Sequence, residues 1–260
     1  MGTPLRAKVA SAVGAALIRP AVGRFAATIL GNRIPFRGLT VDTSDPLVHD
    51  GVKAALLFGA YESAEYRFVH RYLLRDRDAL ELGGSIGVMT ATIRGLLNPG
   101  RRHVVVEADP RLATILRRNL ELNGRRDVVV EEVAIAYGTD SVRFAIGPTS
   151  LGGRIDDSQR AGETIEVPAV TLAGLIEHHA FDDFCLVSDV EGVEWQILRE
   201  DAAALTRARR IIIETHDRDG YGGYEAFLEE LPRAIPFRQI DRYGCVAVFD
   251  HIEDVANGKR

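Results

Sequence analysis

The sequence of 260 residues contains very little cysteine and tryptophan, with only two cysteines and one tryptophan. Cys185 lies within the apolar run 184–187, and Cys245 lies within a similar run at 244–248. Cysteines in such runs are expected to be small buried hydrophobic residues rather than disulfide partners or metal ligands. A fold that depends on disulfides is therefore not expected, and nothing requires an oxidising compartment.

Long hydrophobic runs are absent as well, because no segment approaches the ~18 apolar residues that a membrane-spanning helix needs. The apolar stretch Val9–Ile18 is interrupted by Gly14 and followed by Arg19 and Pro20, which disfavours a secretory signal. We therefore expect a cytoplasmic protein that is soluble or at most peripheral to a membrane.

Acidic residues are missing from positions 1–41, although the whole chain has a formal net charge of −5. This segment contains the basic residues Arg6, Lys8, Arg19, Arg24, Arg33 and Arg37. It could form an amphipathic arm on an anionic membrane surface, or a helical extension packed on the main domain, which we favour. We therefore divide the chain into a basic N-terminal extension, residues 1–57, and one domain, residues 58–260. The acidic remainder disfavours a nucleic-acid partner, and a homo-oligomer is left open.

What the sequence does contain is an alternation of short apolar runs with helical patterns. Strands are predicted at 79–82, 103–106 and 127–130, with helices between them at 86–97 and 111–122. The other predicted elements are helices at 65–74, 194–205 and 224–234, strands at 142–146, 164–170, 184–188 and 210–214, and a closing hairpin at 237–249. This order is typical of a parallel sheet covered on both faces. We expect a doubly wound, Rossmann-like α/β domain whose mostly parallel seven-stranded sheet carries a C-terminal antiparallel hairpin.

Chemically useful groups follow four of the predicted strands, at Glu81–Gly87, Glu107–Asp109, Asp189–Gly192 and Glu214–His216. In an open parallel sheet, ligands bind beyond the carboxyl ends of the strands, where all four groups are expected to lie. Their agreement in position, rather than any single motif, indicates a ligand site.

The first group is a glycine loop that contains Gly83, Gly84, Ser85 and Gly87. Its glycines let the backbone approach a ligand closely, and the following helix offers free N–H groups. The spacing is a poor match to the Gly-x-Gly-x-x-Gly pattern of dinucleotide sites. Glu81 instead suits a cofactor with a positive amino group, such as the methionyl ammonium of S-adenosylmethionine (SAM). An ordinary strand-to-helix turn is an alternative of similar weight.

Glu107 favours an adenosine cofactor, because a carboxylate at the end of the second strand can accept hydrogen bonds from both ribose hydroxyls. Dehydrogenases use an acid in the same way, so Glu107 does not select SAM by itself. The neighbouring Ala108 is also expected to contact the cofactor. The segment after the third strand is expected to contact the adenine, with a solvated acidic edge as the alternative; its residues are Glu132, Val133 and Ala134.

The order of these motifs resembles that of the FkbM family of SAM-dependent methyltransferases over about residues 58–249. The matching segments are Tyr61-Glu62, Glu81–Gly87, Val104–Pro110 with Asn119 and Asn123, Asp189–Glu194, and Glu214–His216. The resemblance implies a class I methyltransferase fold, SAM as the cofactor, and O-methylation of a hydroxyl on a small molecule, secondary metabolite or saccharide. The chain departs from the family pattern at Val187, where a Lys is common, and at Ala173, where an Asp is common.

Methyl transfer to a hydroxyl needs a group that takes up its proton. We predict His216 for this role, with Asp189 and Glu191 beside it; a hydrogen-bonded histidine at the rim of the site is the alternative. Asp189 is also expected to contact the cofactor. Asp189 and Glu191 could instead bind Mg²⁺ or cap the next helix, and we predict no metal.

Two other functions are compatible with the same sheet. An NAD-dependent oxidoreductase would bind a nicotinamide cofactor and not SAM, whereas a catalytically silent module would bind SAM and methylate nothing. We expect residues 138–168, with the loop at 150–153, to cover the acceptor as a lid.

Overall fold

The computed structural model describes residues 19–145, 154–155, 164–190, 192–217 and 223–252. The helices are α1 (Pro20–Ile29), α2 (Asp50–Leu57), α3 (Ser63–Tyr72), α4 (Val88–Leu96), α5 (Pro110–Leu122), α6 (Leu172–His178), α7 (Glu194–Glu200), α8 (Ala202–Leu205) and α9 (Gly223–Ala234). The strands are β1 (Arg33–Phe36), β2 (Leu39–Asp42), β3 (Asp78–Leu82), β4 (His103–Val106), β5 (Val129–Glu131), β6 (Ala134–Ile135), β7 (Ser141–Ala145), β8 (Arg154–Ile155), β9 (Thr164–Val170), β10 (Phe184–Ser188), β11 (Ala208–Glu214), β12 (Phe237–Tyr243) and β13 (Val246–His251).

Seven strands form the central sheet in the order β12–β13–β11–β10–β3–β4–β5. The neighbouring pairs from β11 to β5 are parallel, whereas β13 runs antiparallel to both β11 and β12. The chain order proceeds outward in both directions from β3 and β10, so the switch point of the sheet lies between these two strands. The predicted doubly wound sheet with its C-terminal antiparallel hairpin is confirmed.

Both faces of the central sheet are covered, which explains why its inner strands are continuous apolar runs. On one face, Leu80 and Leu186 belong to an apolar cluster that includes Trp195 of α7, so this tryptophan is a core residue. On the other face, Val187 packs in a cluster with residues of α3 and α4. Cys185 is buried in this second cluster, and both cysteines are free thiols, as predicted.

The N-terminal extension is not purely helical, because β1 and β2 form an antiparallel hairpin between α1 and α2. The turn of the hairpin is formed by Arg37 and Gly38, which both have positive φ, at 45° and 92°. This pair lacks the Asn-Gly or Asp-Gly signature of such turns, so the hairpin was not predicted. Ile34 and Phe36 of the hairpin share an apolar cluster with Val88 of α4, so the extension packs on the domain. The boundary placed after residue 57 stays a prediction.

Two asparagines of α5 fasten the hairpin to the domain. The amide of Asn119 donates to the carbonyl of Ile86 at 2.8 Å and accepts from the N–H of Asp42 at 2.7 Å. Asn123 accepts from the N–H of Thr40 at 3.0 Å and donates to its carbonyl at 2.8 Å. The asparagines of the family-like motif therefore join the extension to the segment just before α4.

Helix α1 packs through its small residues and leaves large apolar side chains in solvent. Gly23, Ala26 and Ala27 are buried, whereas Phe25 is 68% exposed and Ile29 is 66% exposed. Within the described parts of the chain, no helix is both long and apolar enough to cross a membrane. The predicted contact of the N-terminal arm with a membrane surface stays a prediction.

The prediction of one continuous helix over 194–205 was wrong, because the chain leaves the helical conformation at Asp201 (φ −126°), between α7 and α8. The Asp201 carboxylate accepts hydrogen bonds from the Tyr137 hydroxyl at 2.8 Å and from the N–H of Ala173 at 2.9 Å. These tertiary contacts hold Asp201 outside the helical pattern that its sequence neighbours favour.

A second sheet follows the third strand of the central sheet, in the order β6–β9–β7–β8. Strands near β7 and β9 were predicted, but their assembly with β6 and β8 into a separate sheet was not. In it, β7 runs antiparallel to β8 and β9, and β6 runs parallel to β9. The loop at 150–153, predicted as part of an acceptor lid, lies outside the described residues.

Candidate active site

The glycine loop follows β3 at the switch point, where its backbone is packed against the end of β10. Gly83 has φ of +89°, and a Cβ at this position would lie only 1.9 Å from the carbonyl oxygen of Asp189. The N–H groups of Gly83 and Gly84 both donate to the carbonyl of Val106, at 2.9 and 3.1 Å. Ser85 also has a positive φ, of 46°, which is unusual for a residue with a side chain. The loop is therefore a tightly bound turn in which Gly83 cannot be replaced without moving Asp189.

Glu107 is held against this loop by two backbone N–H groups. Its Oε2 accepts from Ser85 at 2.6 Å, its Oε1 accepts from Asp109 at 2.8 Å, and the residue is only 7% exposed. Burial raises the pKa of Glu107 to about 7, the negative charges of Asp109 and Asp189 act in the same direction, and the two N–H donors oppose them. Each carboxylate oxygen keeps a second lone pair, so the group can still accept hydrogen bonds from two hydroxyls.

Glu81 lies beneath the loop rather than at its surface. Its Oε1 accepts from the Thr90 hydroxyl at 3.1 Å, and its Oε2 lies 2.9 Å from Nε2 of His103, which is the first residue of β4. Glu81 is 2% exposed and His103 is 1% exposed. Both oxygens of Glu81 thus have partners inside the protein, and its predicted pairing with a ligand ammonium stays a prediction.

The residues predicted to contact the cofactor from the third strand lie at the start of the second sheet. Ala134 belongs to β6 and is buried, and Ala108 packs against the same small apolar cluster. Val133 is partly buried against the main core, while the Glu132 carboxylate pairs with Arg117 at the surface. The predicted adenine contacts of these residues stay predictions.

His216 and Asp189 come together at the carboxyl ends of β11 and β10, and their catalytic roles stay predictions. Nε2 of His216 lies 3.5 Å from Oδ1 of Asp189, and Nδ1 lies 2.7 Å from Oε1 of Glu194, whose side chain is 1% exposed. The N–H of Asp189 donates to the carbonyl of Leu82 at 2.8 Å, so Asp189 lies next to the glycine loop. Glu191, predicted as the third catalytic residue, lies outside the described residues.

Glu214, the last residue of β11, adds a third carboxylate beside His216. Burial, together with the negative charges of Asp189 and Glu65, raises the pKa of Glu214 to about 8, and His216 opposes this shift. One ligand atom each of Asp189, Glu214 and His216 lies within 4.8 Å of the others, a set that could bind a divalent cation. A similar cluster, formed by Glu131, His178 and His179, lies elsewhere on the molecule.

A pocket at this edge of the sheet is lined by glycines of the loop, by carboxylates and by apolar side chains. The carboxylates are Glu62, Glu65, Glu81, Asp189 and Glu214. None of the described residues that line it is a lysine or an arginine. The chemistry of this lining suits a positively charged ligand group, because a cation neutralises carboxylates that repel one another.

Sequence reasoning did not assign a role to Glu62, Glu65 or Glu194. Glu194 belongs to the motif Asp189–Glu194, and Glu62 belongs to Tyr61-Glu62, so both were present in the family-like segments. Their roles depend on which side chains meet across the fold, and this cannot be read from spacing along the chain.

The doubly wound sheet with its antiparallel hairpin is the fold of class I methyltransferases. The methyltransferase FkbM domain matches residues 81–243. The chain therefore belongs to the FkbM methyltransferase family, and this membership implies SAM as the methyl donor. No curated protein sequence matches the chain.

Several solved structures are distantly similar to this chain. A ribosomal protein L11 methylase from Lactobacillus delbrueckii subsp. bulgaricus has 12% identity and a TM-score of 0.43, with 74% of this chain and 77% of that chain covered. An rRNA methylase from Streptococcus thermophilus has 10% identity and a TM-score of 0.44, with 74% and 96% covered. Fibrillarin from Aeropyrum pernix, solved with natively bound SAM, has 13% identity and a TM-score of 0.39, with 72% and 73% covered.

Proposed function

We propose that the protein transfers a methyl group from SAM to a hydroxyl of a small molecule, secondary metabolite or saccharide. The observation that carries this proposal is the group formed by Glu194, His216 and Asp189. It presents a histidine nitrogen beside the glycine loop, where a general base for a hydroxyl is needed.

Each residue of the site has its own proposed role in binding the cofactor or in methyl transfer. Glu107 would accept hydrogen bonds from the ribose hydroxyls, and the backbone of Gly83 and Gly84 leaves room for the cofactor to approach. When bound, SAM supplies an electrophilic methyl group on a sulfonium. His216 would accept the hydroxyl proton at Nε2 while Glu194 stabilises the resulting imidazolium through Nδ1. Asp189 would orient the acceptor hydroxyl between the two strands.

The second sheet and the segment that it frames are proposed to cover the acceptor. Residues 138–168 follow the predicted adenine-contacting segment, whose last residue, Ala134, is the first residue of β6. Deleting residues 150–153 should reduce turnover of the acceptor while leaving the affinity for SAM unchanged. Equal loss of both would contradict the lid assignment.

A weak contact with an anionic membrane surface is proposed for α1. Phe25 and Ile29 lie four residues apart on its exposed face, within a segment that has basic residues and no acidic ones. Such a face suits the boundary between lipid headgroups and acyl chains. The native protein should sediment with vesicles that contain phosphatidylglycerol, but not with vesicles of pure phosphatidylcholine. The Phe25→Ser/Ile29→Ser protein should sediment with neither kind of vesicle.

Calorimetric titration with S-adenosylhomocysteine and with NAD⁺, on the native protein and on Glu107→Ala, tests the cofactor. We expect micromolar-class binding of S-adenosylhomocysteine, its loss in the variant, and no binding of NAD⁺. Binding of NAD⁺ instead, or of neither ligand, would contradict the proposal. Methyl transfer from radiolabelled SAM to a panel of saccharides and phenols then separates an O-methyltransferase from a module that binds SAM silently.

A further inference from the structure

The turn between the extension and the domain places the acidic residue Glu62 beside the glycine loop. The Tyr61 hydroxyl lies 3.5 Å from Oγ of Ser85, and the next residue, Glu62, precedes α3. Glu62 has φ of +42°, a left-handed conformation that is strained for a residue with a side chain. Its side chain lines the same pocket as Gly83 and Gly84. The turn therefore directs Glu62 toward the loop that is to hold the cofactor.

The charges around Glu62 favour a positively charged partner. Burial raises the pKa of Glu62 well above its ordinary value, the hydrogen bond with Tyr61 opposes this, and the carboxylates of Asp189, Glu65 and Glu81 raise it further. No lysine or arginine is found among the described residues that line the pocket, and the basic side chains that approach these carboxylates are the histidines His103, beside Glu81, and His216, beside Asp189. A ligand ammonium placed among them would relieve the repulsion.

The glycine-loop motif predicts that Glu81 binds this ammonium, but both carboxylate oxygens of Glu81 already have hydrogen-bond partners. Thr90 and His103 hold them at 3.1 and 2.9 Å in a buried position beneath the sheet edge. Moving Glu81 to a ligand would leave the His103 ring without its carboxylate in a fully buried site, which is unfavourable.

We propose that Glu62, together with Asp189, receives the methionyl ammonium of the cofactor, and that Glu81 acts as a structural support for the strand end. This inference deepens the proposed function and rests on it. It assigns the ammonium to the turn before α3 rather than to the acid of the glycine-loop motif.

The proposal is tested by binding rather than by turnover. S-adenosylhomocysteine and its deaminated analogue, which keeps the carboxylate but lacks the amino group, are titrated calorimetrically into native protein and Glu62→Gln. A charge-assisted hydrogen bond should make the native affinity for S-adenosylhomocysteine about tenfold or more higher than for the analogue. In Glu62→Gln this preference should fall to within about twofold, with the affinity for the analogue unchanged.

Glu65→Gln is the matched control, because it removes one carboxylate from the same pocket, in the first turn of the helix that follows Glu62. It should keep most of the preference for the amino group. A Glu62→Gln protein that loses affinity for both ligands equally, or a Glu81→Gln protein that loses the preference instead, would overturn the assignment. Failure of the native protein to bind S-adenosylhomocysteine at all would instead contradict the proposed function, and thermal unfolding of each variant verifies that it is folded.

Discussion

Nδ1 of His216 lies 2.7 Å from Oε1 of Glu194, the first residue of α7, whose side chain is 1% exposed. The Glu194 carboxylate is placed to accept a hydrogen bond from Nδ1. The same contact turns Nε2 toward Asp189, 3.5 Å away. A buried carboxylate thus fixes the direction of the histidine ring, as is common for a general base.

The first prediction concerns His216 itself. His216→Ala should lower kcat by roughly 10²–10⁴-fold, which is the usual contribution of a positioned general base. The affinity for S-adenosylhomocysteine should change by less than about threefold, since the ring is proposed to act on the acceptor and not on the ribose. His178→Ala, at the end of α6, is the control and should leave both quantities unchanged. Equal effects of the two substitutions on kcat would exclude His216 as the base.

The second prediction treats Glu194 as a positioning residue that acts through His216. Glu194→Gln should lower kcat about tenfold or more, because the imidazolium loses its partner carboxylate. For the same reason, the acidic limb of the pH–rate profile should move to lower pH. A merely structural role would lower the yield of active protein without moving the profile. Glu194→Asp should restore part of the rate, and a profile that stays in place in Glu194→Gln would contradict this assignment.

The elements that sequence patterns predicted best are those whose burial is complete. β4 and β10 are buried along their whole length, so their apolar runs at 103–106 and 184–188 could be recognised without knowing their partners. Asp109 also accepts from the N–H of Arg111 at the start of α5, where an Asp-Pro pair predicts a helix N-terminus.

The site could be predicted only in part, because side-chain partners across strands depend on register. Ala79 pairs with His103 and Glu81 pairs with Val105, so His103 lies diagonally opposite Glu81 on the same face. No spacing along the chain reveals this diagonal. The position of His216 at a strand end was predictable from its apolar strand, whereas its contact with Glu194 depends on how α7 packs.

The third prediction follows from the buried Glu81 and His103 pair. Glu81→Gln should reduce the free energy of unfolding by roughly 1–3 kcal/mol, because His103 loses its carboxylate partner in a buried site. A double-mutant cycle with His103→Gln, measured by urea unfolding, should show a coupling energy of about 1 kcal/mol or more. A coupling energy near zero would mean that the two residues stabilise the fold independently.

The fourth prediction concerns the pH dependence of stability without cofactor. Folding raises the pKa of Glu107 from its ordinary 4.5 to about 7, so the folded state binds this proton more tightly than the unfolded state. The resulting stabilisation is present below pH 4.5 and is lost as the pH rises to 7, a change on the order of 3 kcal/mol. Glu107→Gln cannot ionise, so urea unfolding should show that its stability relative to native protein increases with pH over this window. A difference that does not vary with pH would contradict the raised pKa.

The last prediction separates two reasons why position 83 needs a glycine, which are its positive φ and the close approach of Asp189. Gly83 and Gly138 both have positive φ, at 89° and 75°, but only Gly83 has a neighbour in the way, the carbonyl oxygen of Asp189. Gly138→Ala should therefore cost about 1 kcal/mol for its backbone conformation, whereas Gly83→Ala should cost at least ~2 kcal/mol more because the strand ends must separate. Urea unfolding measures both. Since Asp189 moves in Gly83→Ala, that variant should also bind S-adenosylhomocysteine more weakly, while Gly138→Ala keeps its affinity. If Gly83→Ala and Gly138→Ala lose the same stability, the ends of β3 and β10 can separate at little cost in free energy. Gly83 would then be needed only for its positive φ.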